Sequence, residues 1–124
     1  MKKYCKITPE GTRDLLFEEC LTYRNIEKLL AGVFQSRGFH EVITPGLEYY
    51  DVFSQGESSI PQEFMFKVTD NKGRLMVVRP DSTLPIARLT ATRLQNELKP
   101  LRLFYTQKVY HNYPVSYTHL RAHE

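Results

Sequence analysis

The chain has 124 residues, 41% of them hydrophobic and 25% charged, which suits one small globular domain with a modest core. Its 17 basic and 14 acidic residues leave a net charge of only +3, well interspersed, so the composition does not argue for a nucleic-acid partner. No apolar run approaches membrane-spanning length, and Met1-Lys2-Lys3 leads into Tyr4-Cys5-Lys6 rather than an apolar stretch, so neither a membrane nor a signal peptide is indicated and a cytoplasmic location is expected.

Residues 1–13 read as an irregular arm with turn chemistry at Pro9-Glu10-Gly11. Asp14 is placed to cap a helix, with Glu18 and Glu19 near the positive end of its dipole. Leu16, Cys20, Ile26, Leu30 and Val33 or Phe34, with Tyr23 between them, recur at three- and four-residue steps. That stripe predicts a long amphipathic helix ending at Gly38. Residues 40–44 alternate weakly and read as a short strand that Pro45 stops or edges. Residues 49–53 suit either one helical turn or an extended segment, and 54–62 form a polar loop. Two β-prone runs, 64–68 and 74–78, flank a polar turn containing Gly73 and read as a hairpin.

Pro80 pushes Arg79 into an extended conformation and ends the second run. Pro85 must lie in the first turn of the next helix, which therefore starts near Ser82 or Thr83 and runs to about Leu98. Ile86, Leu89 or Thr90, Arg93 and Leu94 give it a loose apolar stripe. Residues 101–110 alternate again as a strand. The order helix, strand, hairpin, helix, strand fits an α+β fold, an antiparallel sheet with helices on one face, better than a doubly wound parallel sheet. Cys5 and Cys20 are isolated, without a Cys-x-x-Cys pair, so no disulfide, metal or redox site is expected.

The densest chemistry lies in Arg79-Pro80-Asp81-Ser82-Thr83-Leu84-Pro85-Ile86-Ala87-Arg88, where cations, a carboxylate and hydroxyls crowd a strand-to-helix junction. An ammonium ligand needs acceptors in a partly dry pocket, and a carboxylate beside a hydroxyl supplies them. The same side chains can cap the helix, and the two roles are compatible.

The segment Gly38-Phe39-His40-Glu41-Val42-Ile43-Thr44-Pro45-Gly46-Leu47 resembles motif 1 of class II aminoacyl-tRNA synthetases, although by itself it is equally a plain helix–Gly–strand–Pro connection. In that family the unit builds the dimer interface, which implies interface roles for Gly38, Phe39 and Pro45. Residues 79–88 resemble the histidyl-tRNA synthetase-like segment Arg-Pro-Glu-x-Thr followed by an Ala-Arg pair. That resemblance implies that Asp81 and Thr83 recognise the amino group of bound histidine. Residues 8–15 look like the opening segment of the family, and 102–110 like the strand that opens motif 2. The landmarks occur in family order, and together they imply that residues 1–114 are the amino-terminal part of a class II synthetase-like domain, a partial antiparallel sheet with flanking helices.

Departures from the pattern select a branch. A working synthetase carries Phe-Arg-x-Glu at the end of the motif 2 strand, where the arginine binds the α-phosphate of ATP. Here Tyr110-His111-Asn112-Tyr113 takes the place, and the imidazole of His111, at the degenerate arginine position, makes no bidentate clamp. Asp81 stands where the synthetases have Glu. Asp-x-Thr-x-Pro-Ile-Ala-Arg is more similar to the regulatory subunits of ATP phosphoribosyltransferase. The resemblance implies a protein without catalytic residues or cofactor that pairs with a short-form catalytic subunit at the first step of histidine biosynthesis. It implies activation of that subunit, histidine as feedback effector, and a homodimer within a hetero-oligomer, with no nucleic acid. The alternatives are an amino-terminal fragment of histidyl-tRNA synthetase, activating histidine with ATP and charging tRNA, and an unrelated α+β interaction domain.

Residues 115–124 do not continue the pattern and look like a translated sequencing adaptor, so a non-native tail after about Pro114 is expected. The four-residue spacing of His119 and His123 is given no weight as a metal pair. A class II sheet needs further strands, so the isolated polypeptide is expected to be poorly soluble or partly unfolded.

Overall fold

The structure, a computed structural model, describes residues 3–54 and 60–113. The expected tail at 115–124 lies outside the described residues, as does the middle of the polar loop at 54–62. The chain divides into two compact units, Met1–Glu41 and Val42–Glu124.

In the first unit a short 3-10 helix, Lys3–Lys6, precedes a turn closed by the Thr12 N–H on the Pro9 carbonyl at 3.0 Å. Helix α1 spans Phe17–Ser36. Asp14 does not cap it. Helical bonding begins at Leu16, whose carbonyl accepts the Glu19 N–H at 3.0 Å, and no side chain caps the start. Glu18 and Glu19 do occupy the first turn, and Arg13 pairs with Glu19 at 2.7 Å.

The end of α1 follows the expectation closely. Gly38 sits at φ +82°, a left-handed conformation open to glycine. The Gly38 N–H donates to the Gln35 carbonyl at 3.1 Å and the Phe39 N–H to the Phe34 carbonyl at 3.1 Å. This is a Schellman closure, and its usual hydrophobic contact is present: the Phe34 and Phe39 rings meet edge to face at 5.5 Å. Strand β1, His40–Glu41, follows.

The second unit is built on a three-stranded antiparallel sheet in the order β2-β4-β3, with β2 Leu47–Tyr49, β3 Phe66–Thr69 and β4 Leu75–Val78. The hairpin expectation holds, with Val77 opposite Lys67 and Asp70 closing the turn by accepting the Lys72 and Arg74 N–H groups at 2.9 Å. The ambiguous stretch at 49–53 divides: Tyr49 ends β2, and Asp51–Ser54 form one helical turn, α2. A 3-10 helix, Gln62–Phe64, leads into the hairpin.

Helix α3 spans Thr83–Thr92 and lays Leu84 against a small core of Phe53, Met65 and fully buried Val77. It starts where Pro85 requires, and Pro85 is buried. It ends six residues short of Leu98. The Thr90 and Thr92 hydroxyls bond back to the Ile86 and Arg88 carbonyls at 2.8 and 2.9 Å, a habit that loosens helices, and the Leu94 N–H reaches back to Leu89 instead of Thr90. The core-facing residue of its first turn is Leu84, which the loose stripe at Ile86 and Leu89 did not include.

Two expected strands are shorter than read. The strand expected at 40–44 is regular only at β1, because the Thr44 N–H and carbonyl bond to side chains, Gln107 and Arg79. Of 101–110 only β5, Leu103–Phe104, is a strand; its Phe104 carbonyl accepts the Val42 N–H at 3.0 Å. Past it the Lys108 carbonyl turns to the Arg79 side chain, and the Tyr110 and Asn112 N–H groups bond to the Arg79 and Phe64 carbonyls.

Candidate functional site

The junction between β4 and α3 is held from three directions. Arg79, the first residue past β4, donates its backbone N–H to the Gly46 carbonyl at 3.0 Å and accepts the Tyr110 N–H at 3.0 Å. Its guanidinium donates to the Lys108 carbonyl at 2.6 Å and the Thr44 carbonyl at 3.2 Å. Both cations of the motif therefore serve the frame. Arg88, one turn beyond Leu84 on α3, grips Glu48 of β2 through Nε at 2.7 Å and Nη2 at 3.1 Å. Glu48 pairs across the ladder with Val77 and is 6% exposed, so its charge requires this partner.

Within the frame Asp81 and Thr83 form a tight turn. Asp81 Oδ1 accepts the Thr83 N–H at 2.7 Å, one of the unpaired donors at the helix start. The capping role allowed by the sequence is thus present at Asp81. Its second oxygen, Oδ2, and the Thr83 hydroxyl have no hydrogen-bond partner among the described residues, and both side chains reach solvent. An acceptor pair of this kind suits an ammonium group.

His111 comes to the same turn. Its Nε2 lies 2.5 Å from the Pro80 carbonyl, immediately before Asp81, and its Nδ1 faces the Tyr113 hydroxyl. A carbonyl only accepts, so Nε2 carries a proton and the ring works as a brace. Tyr113 also packs edge to face on Phe64 at 5.3 Å. The structure therefore brings Asp81, Thr83 and His111 together. Gly38 and Phe39 close α1 in the first compact unit, and Pro45 lies exposed between Thr44 and Gly46 in the second. No group of three or more metal-ligating side chains occurs among the described residues.

Sequence reasoning missed three members of this frame. Ser82 is one of several capping candidates, yet the residue is 1% exposed and its hydroxyl accepts Gln107 Nε2 at 2.9 Å. Gln107 was only one position in an alternating pattern. Glu48 carried no signal beyond its place after Leu47. A polar residue flanked by apolar ones in a strand was the available hint, and it did not identify the partner.

Comparison with known proteins places the chain in a family. The family model described as histidyl-tRNA synthetase matches residues 11–123. A protein from Clostridium acetobutylicum named ATP phosphoribosyltransferase regulatory subunit is 49% identical over 110 residues, 89% of this chain and 26% of its own length. One of the same name from Acetivibrio thermocellus is 51% identical over 98 residues, 79% of this chain and 23% of its own length. The chain thus spans about a quarter of the length of these curated relatives. Among solved structures, an ATP phosphoribosyltransferase regulatory subunit/histidyl-tRNA synthetase from Bacillus halodurans C superposes with a TM-score of 0.79 at 38% identity, covering 90% of this chain and 29% of that one. Apo histidyl-tRNA synthetase from S. aureus gives 0.68 at 28% identity, covering 80% and 27%. With its landmarks in family order and 11–123 matched by the family model, the chain belongs to the histidyl-tRNA synthetase family.

Proposed function

We propose that this chain is the amino-terminal part of a non-catalytic regulatory subunit of ATP phosphoribosyltransferase. In this reading it senses histidine, activates a short-form catalytic subunit at the first step of histidine biosynthesis, and relays feedback. Asp81 and Thr83 hold the amino group of histidine, as Oδ2 and a hydroxyl beside a braced turn are suited to do. Gly38, Phe39 and Pro45 belong to the self-association surface of a homodimer within a hetero-oligomer, located in the cytoplasm and without nucleic acid. No helix among the described residues is long and apolar enough to cross a membrane.

The observation that carries the reading is His111. Adenylate formation needs a fixed cation against the α-phosphate. At that place the chain has an imidazole engaged with the Pro80 carbonyl and the Tyr113 hydroxyl. Curated relatives at 43–51% identity that are named ATP phosphoribosyltransferase regulatory subunit support the same branch. The test is purification of the full-length protein with and without the short transferase. Histidine binding and copurification with the transferase are expected, without histidine-dependent ATP–pyrophosphate exchange. The likeness to the S. aureus synthetase favours the second reading, a histidine-activating ligase, and robust exchange by the purified protein would establish that one instead.

A further inference from the structure

We propose that Gln107 is a positioning residue for the turn that reads the amino group of histidine, an inference that rests on the proposed function above. The orientation of its amide is dictated by its neighbours. The Thr44 N–H can only donate, and it meets Oε1 at 2.7 Å, so Nε2 is the end that faces the Thr44 and Ser82 hydroxyl oxygens at 3.1 and 2.9 Å. Thr44 and Ser82 are 3% and 1% exposed, so water is poorly placed to replace these bonds.

Ser82 lies between the two residues that recognise the ligand. Its own hydroxyl makes no capping bond to α3, while its carbonyl accepts the first helical bond, from the Ile86 N–H at 3.1 Å. Gln107 therefore holds the centre of the turn, His111 holds the Pro80 carbonyl before it, and the Asp81–Thr83 bond closes it from within. If the amide is lost, Asp81 keeps its bond to the Thr83 N–H, but the turn is no longer anchored through Ser82. The carboxylate and the Thr83 hydroxyl then converge less well on one ammonium. Through Thr44 the same amide reaches the residue before Pro45, so the ligand turn and the proline segment share one polar clamp.

The test compares histidine with imidazolepropionate, which is histidine without its amino group, by calorimetry on full-length wild type, Gln107→Leu and Ser82→Ala. In both variants the preference for histidine is expected to fall by about tenfold, the effect of weakening a charge-assisted contact, with imidazolepropionate binding unchanged. A general structural defect would weaken both ligands alike, and an unchanged preference in the variants would overturn the role of Gln107 while leaving the proposed function standing. If Gln107→Leu does not fold, Ser82→Ala decides alone, because it removes one buried hydroxyl at the far end of the bridge. Wild-type protein that binds no histidine overturns the proposed function and this inference with it.

Discussion

Arg88 holds the carboxylate of Glu48 by two hydrogen bonds, at 2.7 and 3.1 Å, and so fastens α3 to β2 across a face that also carries Val77. The Glu48 side chain is 5% exposed and that of Arg88 34%, so the pair is strongly desolvated on one side only. Arg88→Met strands a buried carboxylate and is expected to cost about 3 kcal/mol. The double variant Glu48→Met/Arg88→Met should recover most of that loss. Urea unfolding of the four proteins of this cycle measures it, and a single-variant loss below about 1 kcal/mol would mean that water reaches Glu48 after all.

Asp81 has a cap role and a proposed ligand role, and one substitution separates them. Asparagine can still accept the Thr83 N–H but carries no charge. Asp81→Asn should leave the melting temperature nearly unchanged and weaken histidine binding on the order of 2 kcal/mol, about 30-fold. Asp81→Ala should lose both. Equal histidine affinity in wild type and Asp81→Asn would reduce Asp81 to its cap.

The hairpin turn contains a pH-dependent element. The Arg74 backbone N–H, with its guanidinium and the Lys72 N–H in support, holds the Asp70 carboxyl below its ordinary value of 3.8, while partial burial opposes the shift. A carboxyl lowered on folding stabilises the fold fully above 3.8, and the contribution fades as pH falls through the folded value. The stability gap between wild type and Asp70→Asn should thus be widest near neutrality and close in acid. Denaturation midpoints at several pH values will show it, and a gap that grows below 3.8 would contradict the assignment.

Gly38 is tested where its conformation is required. At φ +82° a side chain is strained, so Gly38→Ala should cost about 1 kcal/mol through the end of α1. Phe39→Ala removes the edge-to-face contact with Phe34 and should cost a comparable amount. Circular dichroism melts report both. A neutral Gly38→Ala would mean that the helix end rearranges without Gly38.

What was legible in the sequence was local. Gly38 after an amphipathic run and Gly73 within a polar turn permit a positive φ, Pro85 beside Ser82 and Thr83 fixes φ and removes a donor, and these properties act within a few residues in any fold. They placed the close of α1, the start of α3 and the hairpin. The family landmarks were legible for the same reason, as runs of neighbours. What only the tertiary structure decided was which distant polar groups share a partly buried bond. Thr44 and Gln107 lie 63 positions apart, Glu48 and Arg88 lie 40 apart, and Pro80 and His111 lie 31 apart. Those bonds, with the Arg79 bonds to the Lys108 and Thr44 carbonyls, shortened the expected strands and turned the motif's two cations into braces, while Asp81 Oδ2 and the Thr83 hydroxyl keep no hydrogen-bond partner among the described residues. No local pattern encodes such a pairing, because the energy of a buried hydrogen bond depends on what the fold places opposite it.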